Sequence, residues 1–305
     1  MLDLVTIVFP VFGLIGIGYL ARRTGFVSER MGEGLSEFVF TLSVPCLIFR
    51  TLVKAEIPEA QPWGYWISYF AGVAVVWVLA TVVAKRFFGV KGVSSVVAGF
   101  AAGQANTVFV GVPMILKAYG DEGAVPLFLL LAVHLPVTMT LATVLAEGRQ
   151  ASPLLILRRL ATHPIVIGIL AGSALRPIAP VVPSPIWQIL DLIASAAVPC
   201  ALISMGIALR RYGMKMGWKL PTVISVLKLA IHPLVVLILA SYVFQMPPVW
   251  AGVAVLFASC PSGINAYLFA ERYGEGVALA SSAVTLSTVL ALGTTLLWLY
   301  VLGVG

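Results

Sequence analysis

The chain has 305 residues, of which 60% are apolar and only 10% charged, and its mean hydropathy is +1.05. Soluble domains carry about a quarter charged residues, so this composition excludes a cytosolic enzyme and a disordered chain and points to a polytopic membrane protein. The net charge of +7 falls in short basic runs between apolar stretches, which reads as membrane orientation and not as nucleic-acid binding.

Ten apolar stretches separated by charged or Pro/Gly punctuation are predicted to span the bilayer. They run over 2–21, 35–53, 63–84, 93–117, 123–146, 160–179, 185–209, 217–244, 247–270 and 276–303. The stretches are long and evenly apolar, which suits helices, whereas barrel strands alternate over about ten residues. The fold class is therefore all-α. Residues 2–21 lack a basic leader and a small-residue cleavage site, so they read as a retained helix. Cys46, Cys200 and Cys260 lie inside apolar stretches without paired spacing and read as packing residues.

Lys and Arg alternate between loops. The odd loops hold Arg22, Arg23, Arg30, Lys85, Arg86, Lys91, Arg149, Arg158, Arg159, Arg210, Arg211, Lys215, Lys219 and Arg272. The even loops hold Lys54, Lys117 and Arg176, with Arg50 near the end of span 2. Basic loops stay cytoplasmic. The expected location is the cell (inner) membrane with both termini on the non-cytoplasmic side.

An offset of 154 residues superposes rare residues. Pro10 meets Pro164, Glu37 meets Asp191, Val44-Pro45-Cys46 meets Val198-Pro199-Cys200, and Tyr119-Gly120 meets Tyr273-Gly274. This places span 1 on 6, 2 on 7, 4 on 9 and 5 on 10. Two five-helix repeats are expected, 1–150 and 151–305. Five is odd, so the second repeat enters the membrane from the opposite side. Many secondary transporters are built in this way.

The loops are short, so the chemistry is expected within the spans. In span 4, Gln104, Asn106 and Thr107 cluster at mid-depth between Gly103 and the pair Gly111 and Pro113. Proline removes a helical hydrogen bond and glycine loosens the backbone, so an interrupted helix is expected. Span 9 carries the matching interruption, Cys260-Pro261-Ser262-Gly263-Ile264-Asn265. Where two such breaks cross, half-helix N-termini converge with free N–H groups and partial positive charge, an arrangement suited to a carboxylate.

Asn106-Thr107-Val108-Phe109-Val110-Gly111-Val112-Pro113, then Tyr119-Gly120, resembles the auxin efflux carrier family, which includes plant auxin exporters and bacterial malate or malonate permeases. Pro261-Ser262-Gly263-Ile264, Phe269-Ala270, Tyr273, Val44-Pro45 and Val198-Pro199 extend the resemblance over all ten spans. The long central hydrophilic loop of the long plant members is missing. The resemblance implies an inverted-repeat carrier with spans 4 and 9 crossing at the site. It also implies a scaffold of spans 1, 2, 6 and 7, a transport core of spans 3–5 and 8–10, and a homodimer. By similarity Asn106, Pro113 and Pro261 belong to the site; Asn265 rests on the repeat alone.

Lys228 lies deep in span 8. A buried ammonium is costly unless it is paired or gives up its proton. It reads either as a charge that swaps a proton or substrate carboxylate during transport, or as a lysine satisfied by carbonyls of a broken helix. His134, His163 and His232 each stand just before a proline, without metal-ligand spacing. His232 is one turn from Lys228, and His134 could line the site. The plainer reading has each histidine bonding a carbonyl freed by its neighbouring proline. Glu37 and Asp191 read as interfacial.

The expectation is thus a secondary active transporter of a small mono- or dicarboxylate, working by elevator-like alternating access with proton or sodium coupling. Candidate substrate-binding residues are Gln104, Asn106, Thr107, Gly111, Pro113, Pro261, Ser262, Gly263, Asn265 and His134, with Lys228 and His232 as charge or coupling groups. No metal, cofactor or nucleotide site is expected, since the chain has no GxxxxGK[ST] loop. A cation/proton antiporter of the same fold usually carries carboxylates at the crossing, which spans 4 and 9 lack at their middles. An intramembrane enzyme lacks support, for HExxH, GxGD and GxSxG are all missing. A non-transporting sensor would be separated from a carrier by flux.

Overall fold

A computed structural model describes residues 2–54, 63–148, 154, 158, 161–162 and 164–304. His163, Arg149, Arg159 and the expected 150/151 repeat boundary lie outside the described residues. The described chain is helical, and its one β-feature is an isolated antiparallel bridge between Ala105 and Ser262.

The helices are α1 (Leu2–Arg23), α2 (Glu29–Phe38), α3 (Val44–Lys54), α4 (Trp63–Phe88), α5 (Gly92–Gly103), α6 (Val112–Tyr119), α7 (Ala124–Glu147) and α8 (Pro164–Ala174). They continue with α9 (Ser184–Ser195), α10 (Ala197–Tyr212), α11 (Lys219–Val226), α12 (His232–Leu237), α13 (Pro248–Ser259), α14 (Ile264–Tyr273) and α15 (Val277–Val301). Among the described residues, seven helical stretches are long and apolar enough to cross a membrane, and Gly92–Gly103, Pro164–Ala174 and Pro248–Ser259 are shorter apolar helices. Their outer faces are apolar, as Phe9, Val78 and Leu192 illustrate. Water would not tolerate so much greasy surface, but lipid does.

Short π-helical turns, Val39–Ser43, Thr107–Gly111 and Leu227–Ile231, precede Pro45, Pro113 and Pro233. Each widens the helix one residue ahead of the missing N–H, a common way to absorb a proline. The carbonyl of Leu229, freed by Pro233, accepts instead from Trp298 Nε1 at 2.7 Å.

Glycines set the closest helix contacts. In α1 and α10, Gly18 lies against the Ile203 backbone and Gly206 against that of Ile15. In α8, Gly168 meets the Pro45 backbone and Gly172 that of Phe49, both in α3. Helices in lipid gain little from burying apolar surface against each other, so close backbone approach through small residues is what holds them. The Arg50 guanidinium and the Asp191 carboxylate join α3 to α9 as a close ion pair. Helices α4 to α7 pack with α11 to α15 around the crossing of α5/α6 with α13/α14.

Candidate functional site

Helix α5 stops at Gly103. Gln104 turns extended (φ −88°, ψ 123°), and Asn106 (φ −78°, ψ 73°) leads into the turn before α6. Helix α13 stops at Ser259, because Pro261 pushes Cys260 out of the helical region (φ −57°, ψ 147°). Gly263 is extended as well (φ −79°, ψ 150°). The two breaks meet and share a short antiparallel ladder: Asn106 N–H donates to Pro261 O at 2.8 Å, and Gly263 N–H donates to Gln104 O at 3.0 Å.

This ladder places backbone groups that would otherwise be orphans inside the protein. A buried unpaired amide costs about 1–3 kcal/mol, so each break needs tertiary partners. Ser262 donates its hydroxyl to Ala101 O at 2.7 Å, and its N–H donates to Ser287 Oγ at 3.0 Å. Ala105 N–H donates to His134 Nε2 at 3.2 Å. Gly263 has no room for a side chain, since a Cβ there would collide with Gln104 Oε1 and the Ala105 carbonyl. Gly111 packs on Cys260 Sγ where the two half-helices touch.

Opposite the ladder, the first-turn amides of Val108 and Phe109, and of Ile264 and Asn265, precede the first intrahelical bonds of their half-helices. A cavity lies at this point, lined by Asn106, Thr107, Val108, Phe109, Gly263, Ile264 and Asn265, with Ala105, Phe40, Leu131 and Leu135. It offers only about 10 Å³, roughly one water. Asn106 Nδ2 reaches out of the crossing to Met205 Sδ of α10 at 3.3 Å. That is a weak bond, which a stronger acceptor would displace.

Phe40 and Phe109 meet edge-on with centroids 5.0 Å apart. Together with Ile264 they separate this cavity from a larger vestibule of about 310 Å³. Glu29, Glu33, Glu37 and Arg211 line the vestibule. Arg211 pairs with Glu29 (3.2 Å) and Glu33 (3.0 Å) of α2 and with Glu271 (3.4 Å) of α14. These charges are substantially exposed, so the network ties α14 to α2 and α10 only loosely.

Beneath the crossing lies a buried polar cluster. Lys228 is fully buried; its Nζ donates to the Ala258 carbonyl and lies 3.3 Å from His232 Nδ1. The C-terminal end of half-helix α13, with its partial negative charge, is the end at which a cationic or donating group is favoured. Tyr69 Oη lies 3.0 Å from His134 Nδ1, and the Tyr69 ring packs on both His134 and His232. His232 Nε2 and Gln104 Oε1 are buried without a hydrogen-bond partner among the described residues.

Of the residues singled out in the sequence, Asn106, Thr107, Gly263 and Asn265 line the cavity. Gln104, Gly111, Pro113, Pro261 and Ser262 build the crossing behind it. His134 supports the first break from below, and Lys228 and His232 sit at the end of α13. The expectation that the histidines bond proline-freed carbonyls does not hold for His134 and His232. Both face the buried cluster, and Trp298 serves the carbonyl freed by Pro233. The sequence reading missed Ala105, Phe40, Phe109, Met205, Tyr69 and Ser287. Ala105 and Phe109 stood inside the span 4 motif without being singled out; the others are ordinary span residues whose role depends on packing.

The sequence profile of the membrane transport protein family matches residues 3–299. A Rhizobium meliloti (strain 1021) protein named "Putative malonate transporter" is 29% identical over 100% of this chain and 98% of its own. An uncharacterised transporter of Methanocaldococcus jannaschii is 24% identical, covering 97% of this chain and 98% of its own. Auxin efflux carrier component 8 of Arabidopsis thaliana is 22% identical, covering 96% and 95%. The profile spans nearly the whole chain and the relatives are named as transporters, not enzymes, so this multi-pass membrane protein belongs to the membrane transport protein family of auxin efflux carriers.

Proposed function

We propose that the protein is a secondary carrier of a small carboxylate, with malonate as the first candidate because one relative's name carries it. The observation that supports this most is the crossing itself. Val108, Phe109, Ile264 and Asn265, whose amides precede the intrahelical bonds of two half-helices, line one cavity together with Asn106, and no described Asp or Glu lines it to attract a cation instead. Helix N-termini favour anions. Asn106 and Thr107 orient the carboxylate, Asn265 and the Gly263 backbone close on it, and Pro113 and Pro261 keep the half-helices open.

Transport works by alternating access. Spans 1, 2, 6 and 7 form the scaffold, and spans 3–5 with 8–10 form the moving core of a ten-span inverted repeat. The glycine contacts support the pseudo-symmetry: span 1 packs on span 7 as span 6 packs on span 2, and Gly18 and Gly172 share the 154-residue offset. The cavity sits at the boundary of the two bodies, since Asn106 and Phe109 of one touch Met205 and Phe40 of the other. The vestibule lies on the side of the basic loops, so it faces the cytoplasm, and the 10 Å³ cavity describes a nearly closed site. The assembly is a homodimer in the inner membrane.

Reconstitution tests this reading. Proteoliposomes preloaded with unlabelled malonate should accumulate radiolabelled malonate by counterflow. Failure with malonate and with every other short mono- and dicarboxylate would contradict it.

A further inference from the structure

His134 is fully buried in α7 and leads into Pro136. Its two ring nitrogens have different partners. Ala105 N–H can only donate, so Nε2 accepts and carries no proton. The single N–H of the neutral ring is then at Nδ1 and donates to Tyr69 Oη. The first break of the crossing therefore hangs on one histidine in one tautomer. Leu131 and Leu135, which flank His134 on the same helix, line the cavity, and Ala105 lines it too.

A proton added at Nε2 would set two N–H groups against each other. The Ala105 N–H···Nε2 bond would break, and Ala105 would have to turn. Its neighbours Gln104 and Asn106 are pinned by the ladder to Gly263 and Pro261, so the movement is confined to the site. Its natural direction is into the cavity, where the freed Ala105 amide meets a bound anion.

We propose that His134 carries the coupling proton: Nε2 takes one proton from the aqueous side to which the site is open, the Ala105 amide is released to the carboxylate, and one proton travels with each anion. The N–H bond formed at Nε2 on one side of the membrane is lost to water on the other. This rests on the carboxylate reading above. The titratable groups around His134 are Tyr69 and Tyr65 of α4, Lys228 and His232 of span 8, and Cys260 at the second break. No described Asp or Glu stands among them, so the bound carboxylate supplies the counter-charge that makes imidazolium tolerable. Binding of proton and anion then reinforce each other, as linkage requires. Lys228 has its own partners, Ala258 O and His232 Nδ1.

The test uses the purified full chain in nanodiscs, malonate as probe, and His134→Gln, whose amide can still accept from Ala105 and donate to Tyr69 but cannot titrate. Calorimetry in buffers of different ionisation enthalpy counts protons taken up per malonate. Wild type should take up one, and its affinity should weaken about tenfold per pH unit on the alkaline side. His134→Gln should take up none and show a flat profile, whatever its affinity. Proton uptake by His134→Gln equal to wild type would overturn the proposal. Nitrogen-15 spectra of labelled histidine report the protonation of the ring directly, with malonate bound. The His134 ring should lose its Nδ1–H tautomer on acidification together with a shift of the Ala105 amide. A ring that stays neutral with malonate bound down to about pH 5 would overturn the proposal. No binding of any carboxylate by wild type contradicts the proposed function and the coupling role with it, whereas malonate bound beside a neutral ring contradicts the coupling role alone.

Discussion

The two breaks at the crossing reach the same backbone shape by different means. The break at Cys260–Gly263 is local: Pro261 denies the helix an N–H, and Gly263 supplies space. Its polar groups turn inward, with Ser262 bound to Ala101 and Ser287. The break at Gln104–Asn106 contains no proline, and Pro113 comes only at the start of α6. It depends on tertiary partners, namely the ladder to the other break and the imidazole of His134. The cause of one break lies in its own residues, whereas the other leans on partners from distant spans and carries Asn106 to the boundary with α10.

Substitutions can break this contrast. The largest effect is expected for Gly263→Val, whose side chain would drive the ladder apart. Malonate counterflow should be lost entirely while the detergent-purified protein remains monodisperse. Wild-type flux would show that the close approach is dispensable. Asn106→Ala should follow, lowering uptake by roughly 10–100-fold, the ~1.5–3 kcal/mol of a hydrogen bond to a charged group. Asn265→Ala, beside the Pro261 break, should cost less than Asn106→Ala. Equal losses in the same uptake assay would show that the two breaks contribute alike.

Lys228→Met should act on stability, because it leaves the Ala258 carbonyl at the end of α13 without its donor. About 1–3 kcal/mol is expected, seen as a lowered midpoint of thermal unfolding in detergent. Unchanged stability with an altered pH profile would instead make Lys228 the titrating group. Ser287→Ala should be mildest, about 1 kcal/mol for the bond to Ser262 N–H, read in the same thermal assay.

Composition and loop charge are enough to foretell an all-helical membrane protein, because lipid imposes length and polarity on every span. Pro261-Ser262-Gly263 also announces its own break, since the cause lies in those residues. The first break is legible only as a cluster of Gly103, Gln104 and Asn106. What holds it, Ala105 on His134 and Asn106 on Pro261, joins residues 29 and 155 positions apart. Phe40, Met205 and Ser287 have no local signature at all, because an apolar or small residue in a greasy span looks the same wherever it faces. The histidines illustrate the limit from the other direction. Their position before prolines invited a local explanation, but two of them serve a cluster assembled from distant spans.

The central claim is that a carboxylate sits on the free amides of the two half-helices. It is tested most directly by measuring carbon–nitrogen dipolar contacts between carboxyl-labelled malonate and backbone nitrogen-15 in the reconstituted protein. Contacts to the amides of Val108, Phe109, Ile264 or Asn265 are expected, and they should vanish in Asn106→Ala. Bound malonate with contacts elsewhere, such as Arg211 in the vestibule, would contradict it.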